Sequence, residues 1–262
     1  MDASILKSLE DFIQKANVIL EGNMMSAYCF GSAVYEDFYD GYSDLDFFII
    51  VDTEITDAIF KKFSMLRKHY KSLNHPYLSV LEGKIIATQG MSKDKEANVI
   101  YWGTTSDRLN KKWTLSGFSL KGLIESGYLI YEDEIRAELP YPKKEDMLQQ
   151  VDHLIDTIRT YAQTTTEDIH SMDWLFLMSQ SFYWLKTLEV AGKTIAAKSM
   201  LNQSSYPWLG ELARAIEIRQ APELATRRDN KKWLKNLVGT IQQACDDLVL
   251  ERRSSLKKDS LK

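Results

Sequence analysis

Apolar positions recur along this chain in two rhythms. Over residues 3–20, Ile5, Leu9, Phe12, Ile13 and Ala16 fall on one stripe at three-to-four spacing, which predicts an amphipathic helix. After Gly22-Asn23 comes a short, mainly apolar run, residues 25–30, and Leu45–Val51 is a second, dense in Phe, Ile and Val. Short runs of this composition read as buried strands. A helix over residues 55–70 leads through Asn74-His75-Pro76 to a third strand within residues 78–87. Beyond residue 146 only the helical spacing remains, over residues 147–162, 172–191, 209–219 and 231–251. The stretch ELPYPKKED at 138–146 gathers two of the five prolines with charged residues and reads as a linker. The expected layout is an α/β half over residues 1–140, an all-α half over 141–252 and a polar tail, 253–262, that frays.

Composition narrows the class. A chain of 262 residues with 44% hydrophobic and 27% charged residues has enough apolar surface for a real core. No run reaches the roughly 18 apolar residues that a bilayer crossing needs, so no membrane partner is expected. The first twenty residues mix charges into a helical pattern, unlike a signal peptide, and cytoplasmic residence is the expectation. Cys29 and Cys245 lie far apart among apolar neighbours and read as buried thiols. With a net charge of −4 and no basic stripe evident outside the tail, nucleic-acid binding is not expected. A mildly acidic protein suits a cationic small molecule.

Candidate chemistry begins at Gly31-Ser32, directly after the first apolar run. A strand, a Gly-Ser turn and a helix start aim backbone N–H groups at an anion, although most such turns are only turns. Thirteen residues on come Asp44 and Asp46, one residue apart, so on a strand they share a face about 7 Å from each other. Two carboxylates on a strand otherwise made of Leu45, Phe47, Ile49 and Val51 are costly unless paired or bound to a metal. Mg²⁺ takes such oxygen ligands. The alternative is a strand end with solvated acids. Glu82, in the third predicted strand, is a candidate for a second metal ligand or for a proton acceptor, against a solvent-facing edge glutamate. Trp102 and Asp173 are candidates for an acceptor pocket, although a tryptophan in an apolar run is more often core. The four histidines show no metal-ligand spacing.

The stretch FGSAVYEDFYDGYSDLDFFIIV resembles the Gly-Ser…Asp-x-Asp signature of the DNA polymerase β-type nucleotidyltransferase superfamily. LEGKII, VIYWGT, FSLKGLIESGYLIYEDEI followed by LPYP, SMDWLFLMSQSFYWL, AGKTIAAK and LARAIEIRQAP extend the resemblance to streptomycin/spectinomycin adenylyltransferase-like aminoglycoside nucleotidyltransferases. The resemblance implies a nucleotidyltransferase domain, a mixed sheet with flanking helices, followed by a helical bundle, with ATP and antibiotic bound between them. It implies AMP transfer from ATP to a hydroxyl of a cationic or hydroxylated small molecule, with two Mg²⁺ ions, in a monomer. By resemblance, Gly31 and Ser32 hold the triphosphate, Asp44 and Asp46 bind Mg²⁺, Glu82 is the base and metal ligand, and Lys198 contacts phosphate. Gln180 stands where family members carry an arginine, Glu36 where many carry glycine, and the segment 183–192 is about one helical turn longer, which makes Lys186 a candidate substitute cation. Rival readings are transfer to a lincosamide or a protein hydroxyl, or a non-catalytic nucleotide-sensing or antitoxin-like module.

Overall fold

A computed structural model describes residues 1–91, 96–112, 115–203 and 205–259. Contacts divide the chain into two units, Met1–Phe38 with Ser43–Pro142, and Tyr39–Tyr42 with Lys143–Lys262.

The first unit is built on a six-stranded sheet. Its elements are α1 (Ala3–Ile19), β1 (Met24–Phe30), β2 (Leu45–Val51), α2 (Asp57–Ser72), β3 (Leu81–Ala87), β4 (Val99–Trp102), β5 (Asp107–Asn110), α3 (Gly117–Ser126) and β6 (Tyr128–Glu132). Strands lie in the order β5-β4-β3-β2-β1-β6. Only β2 and β3 run parallel, joined by α2, because a parallel pair needs a long crossover. The Asp2 carboxylate caps α1 by accepting from the Ser4 amide, and the Thr56 hydroxyl caps α2.

Both faces of the sheet are covered. On one, Ile5, Leu9 and Phe12 of α1 pack with Phe47, Ile49, Ile85 and Trp102. On the other, Leu120 and Leu123 of α3 join Tyr28, Phe48, Ile50 and Ile86. That is why residues 47–51 form a continuous apolar run instead of an alternating one. Leu45, Phe47, Ile49 and Val51 share a face as expected, and Phe48 and Ile50 are equally buried on the other.

The second unit is a helical bundle of α4 (Lys144–Tyr161), α5 (Asp173–Thr187), α6 (Lys193–Gln203), α7 (Leu209–Gln220), α8 (Arg228–Lys235) and α9 (Val238–Asp259). Helix α5 packs on α6 and α9, and α4 on α9. Three boundaries differ from expectation. The predicted helix 172–191 stops at Thr187, where Leu188 takes a left-handed conformation (φ 62°) and its amide returns to the Trp184 carbonyl. The run 231–251 belongs to two helices that break at Asn236-Leu237, and α9 continues to Asp259 through much of the tail expected to fray. Helix α8 and the residue before it carry Arg227, Arg228, Lys231, Lys232 and Lys235, a basic cluster where no basic stripe was expected outside the tail. Among the described residues no helix is long and apolar enough to cross a membrane.

Candidate active site

The turn after β1 is a single 3-10 turn, Gly31–Ala33. Gly31 sits at φ +72°, and a Cβ there would overlap the Asp46 Oδ2 and lie 3.1 Å from its Cγ. Glycine is therefore required twice, for the left-handed backbone and for the close passage over the Asp46 carboxylate. The Ser32 hydroxyl donates to the Asp44 carbonyl at 3.2 Å, tying this turn to the approach to β2. Three residues beyond the turn, Glu36 holds a positive φ of 55°, a conformation that glycine adopts without strain.

The acids assemble across two strands. Strand β2 begins at Leu45, so Asp44 stands just ahead of it and Asp46 one position inside. Parallel register sets Asp46 beside Glu82, with Phe48 beside Lys84 next along. Neighbours in such a ladder share a face about 5 Å apart. Glu82 is exposed. Two lysines flank the group. Burial and the Arg67 charge pull the Lys71 ammonium down, while Asp44 and Glu82 hold it up. Burial likewise lowers Lys84, opposed by Glu82 and Asp46. Both effects place the three acids within electrostatic reach of these cations. Next to them, the Cys29 thiol is pushed up to about 12 by burial and then by the Asp46 charge, which makes it an unreactive core residue.

No metal-ready group of three His, Cys, Asp or Glu stands together among the described residues. Mg²⁺ does not need one, because it keeps waters and takes one or two carboxylates together with substrate phosphates. Adjacent hard carboxylates beneath a turn without a Cβ fit an ion of that kind.

The remaining candidates fall elsewhere. Trp102 is 2% exposed, packed against Phe12, Phe47, Phe63 and Tyr70. Its ring belongs to the core, and the expectation of a pocket wall is corrected. Tyr101, one residue earlier, takes the face that carries the acids. In the second unit Asp173 opens α5 and is fully engaged. It accepts from the Tyr42 hydroxyl, meets His170 Nδ1 at 2.9 Å and lies 3.6 Å from Lys193 Nζ. Burial pushes its carboxyl up, but the His170 bond, the Lys193 charge and Tyr42 outweigh it and hold it at about 2. Burial and the Asp173 charge raise the Tyr42 phenol.

Beneath this group lies Arg219, only 1% exposed, with its guanidinium 4.7 Å from the Tyr42 ring and 5.4 Å from Phe176. Its Nε donates to Thr194 Oγ1 at 3.1 Å. Sequence reasoning passed over Arg219, yet its spacing carried the signal. Leu212, Ala215, Ile216 and Arg219 form one buried stripe of α7, and a cation on such a stripe needs partners. Lys198 is exposed, whereas Lys193 is the α6 lysine that reaches Asp173. Five residues of helix separate the two by about 140°. Gln180 Nε2 donates to the Ala191 carbonyl at 2.8 Å, fastening α5 to the loop before α6. Lys186 is exposed on the last turn of α5.

No protein-family model matches this chain, and no curated protein matches it. Solved structures do. Spectinomycin adenyltransferase AAD(9) from Enterococcus faecialis, crystallised with ATP and spectinomycin, is similar at 20% identity and a TM-score of 0.64. The match covers 91% of this chain and 98% of that one. At this identity the likeness is one of fold, and the chain has the nucleotidyltransferase fold, a mixed six-stranded sheet with flanking helices followed by a helical bundle.

Proposed function

We propose that this protein transfers AMP from ATP to a hydroxyl of a small aminoglycoside-like molecule. The observation that carries the reading is the Asp46–Glu82 row beneath the Gly31 turn, with Asp44 beside it. In the reaction the acceptor oxygen bonds to the α-phosphorus, the bond from that phosphorus to the bridging oxygen breaks, and pyrophosphate leaves. Glu82, exposed on β3, accepts the hydroxyl proton. Asp44 and Asp46 would hold Mg²⁺, which supplies positive charge to the phosphate oxygens. The Gly31–Ala33 turn brings main chain to the phosphates without a side chain in the way. The similar enzyme's ATP and spectinomycin support the choice of donor and acceptor class.

Gln180 favours a second reading, a non-catalytic module of the same fold. Its neutral amide is tied to the Ala191 carbonyl and offers no charge to a triphosphate. One assay separates the two. Purified protein is incubated with Mg²⁺, each nucleoside triphosphate in turn and a panel of aminoglycosides, with pyrophosphate release and product mass as readouts. ATP-dependent addition of one AMP to an acceptor is the expected result. Absence of turnover with every pair would overturn the enzyme reading.

A further inference from the structure

A second set of charged residues lies on the acid-bearing face of the sheet. The ladder pairs Lys84 of β3 with Tyr101 of β4, and Tyr101 with Arg108 of β5. These three therefore form one row, immediately next to the row that holds Asp46 and Glu82. The row extends away from β1 and its Gly31 turn, since β3, β4 and β5 occupy the other side of the sheet. Both cations turn to the same ring, Lys84 Nζ at 5.1 Å and Arg108 Cζ at 4.8 Å from the Tyr101 centroid.

Among the described residues, neither Lys84 nor Arg108 makes a salt bridge. Lys84 is half-buried and Arg108 exposed, and the two heads share the one Tyr101 ring. Two like charges beside one ring repel each other, and the ring together with the Asp46 and Glu82 charges in the neighbouring row offsets that in part. An anion set between them would remove the conflict. A guanidinium fork beside an ammonium is the donor pair that phosphate oxygens match, with charge-assisted bonds to both.

We propose that Lys84 and Arg108, on either side of Tyr101, form a binding site for a phosphate-type oxyanion. It rests on the transfer reading only for the identity of its occupant. That occupant is the tail of the nucleoside triphosphate or a free phosphate-type anion such as pyrophosphate held apart from the nucleotide. The Gly31 turn and this row flank the acids from opposite sides, so the two sources predict different competition.

The test is calorimetric titration of inorganic pyrophosphate and of ATP with Mg²⁺ into the wild type, Lys84→Met and Arg108→Gln, with urea melts of each. Arg108 is exposed, so Arg108→Gln is expected to fold whatever happens to Lys84→Met. Each variant should weaken pyrophosphate binding by about tenfold or more, and added salt should weaken the wild type. A wild type that binds no pyrophosphate, or an Arg108→Gln protein that binds it equally well, overturns the proposal. Competition of pyrophosphate with ATP, with Arg108→Gln weakening both, assigns the site to the triphosphate. Undiminished ATP binding to the pyrophosphate-loaded protein assigns it to a free phosphate-type anion held apart from the nucleotide. Pyrophosphate binding that depends on Arg108 in a protein that binds no ATP keeps this site and removes the transfer reading.

Discussion

Gly31→Ala tests whether the turn exists for the sake of the Asp46 carboxylate. At φ +72° an L-residue loses about 1–2 kcal/mol to backbone strain. Part of that, about 0.4–1 kcal/mol, is returned because alanine has a less flexible unfolded chain. The new Cβ also overlaps Asp46 Oδ2, so the carboxylate must leave its position. Turning that side chain off its rotamer costs roughly 0.5–1.5 kcal/mol more. Gly22→Ala is the control. Gly22 has nearly the same backbone, φ +81°, but a Cβ there meets nothing within 4 Å. Urea melts should therefore show both variants destabilised, Gly31→Ala by about 1 kcal/mol more. Calorimetry with ATP and Mg²⁺ should show a loss of about tenfold or more for Gly31→Ala, one misplaced carboxylate's worth, and none for Gly22→Ala. Equal nucleotide affinity in the two variants would refute the reasoning, because the strain is shared and only the Asp46 contact differs.

Further outcomes follow from the same geometry. Asp46→Asn should abolish AMP transfer while the urea midpoint stays near the wild type, and Glu82→Gln should slow transfer by roughly 10²–10⁴-fold with ATP affinity little changed; normal turnover in either variant counts against its role. Asp173 has its carboxyl depressed from 3.8 to about 2. Its stabilisation, about 2 kcal/mol, is thus fully present above pH 3.8 and is lost as pH falls through about 2. Asp173→Asn should lower stability at pH 7 and flatten the acid limb of a urea-unfolding series below pH 4, and parallel series would contradict the assignment. Leu188→Gly should raise stability by about 1 kcal/mol, seen as a melting temperature higher by about 2–4 °C, because the exposed leucine holds φ 62° at the end of α5. Cys29 and Cys245, both buried, should resist iodoacetamide in the native protein at pH 8 and react after denaturation, as read by mass spectrometry.

What the sequence disclosed depended on how far each signal reached along the chain. The bounds of β2 were legible because burial on both faces makes six of its seven residues apolar, Asp46 being the exception. Helices α1, α2, α4 and α7 were legible from their buried stripes. Helix α6 was not, since KTIAAKSMLNQ scatters its apolar residues around the axis. Strands β4, β5 and β6 have only four or five residues, too few for local pattern to separate them from loop. Trp102 and Tyr101 are neighbours on opposite faces of β4, and which one meets the core is set by pairing with β3. The Lys84–Tyr101–Arg108 row is non-local in the same way, because it exists only once three strands are in register.

The acid pair itself shows why local and long-range signals have to be read together. Asp44 and Asp46 announce themselves by spacing, but Glu82 means little until β3 is laid parallel to β2. That placement depends on the residue after it. A side chain at Gly83 would run into the Phe47 carbonyl oxygen and lie 2.7 Å from two carbons of the Phe47 ring. Any Cβ there would push β3 away from β2 or displace a fully buried phenylalanine. Two glycines therefore bracket the site for different reasons. Gly31 clears the space above the Asp46 carboxylate, and Gly83 lets the neighbouring strand close until Glu82 stands beside it. In the linear sequence both look like ordinary breaks in apolar runs. In the folded sheet they make room on either side of one carboxylate row, and that row, more than any single acid, gives the fold its candidate chemistry.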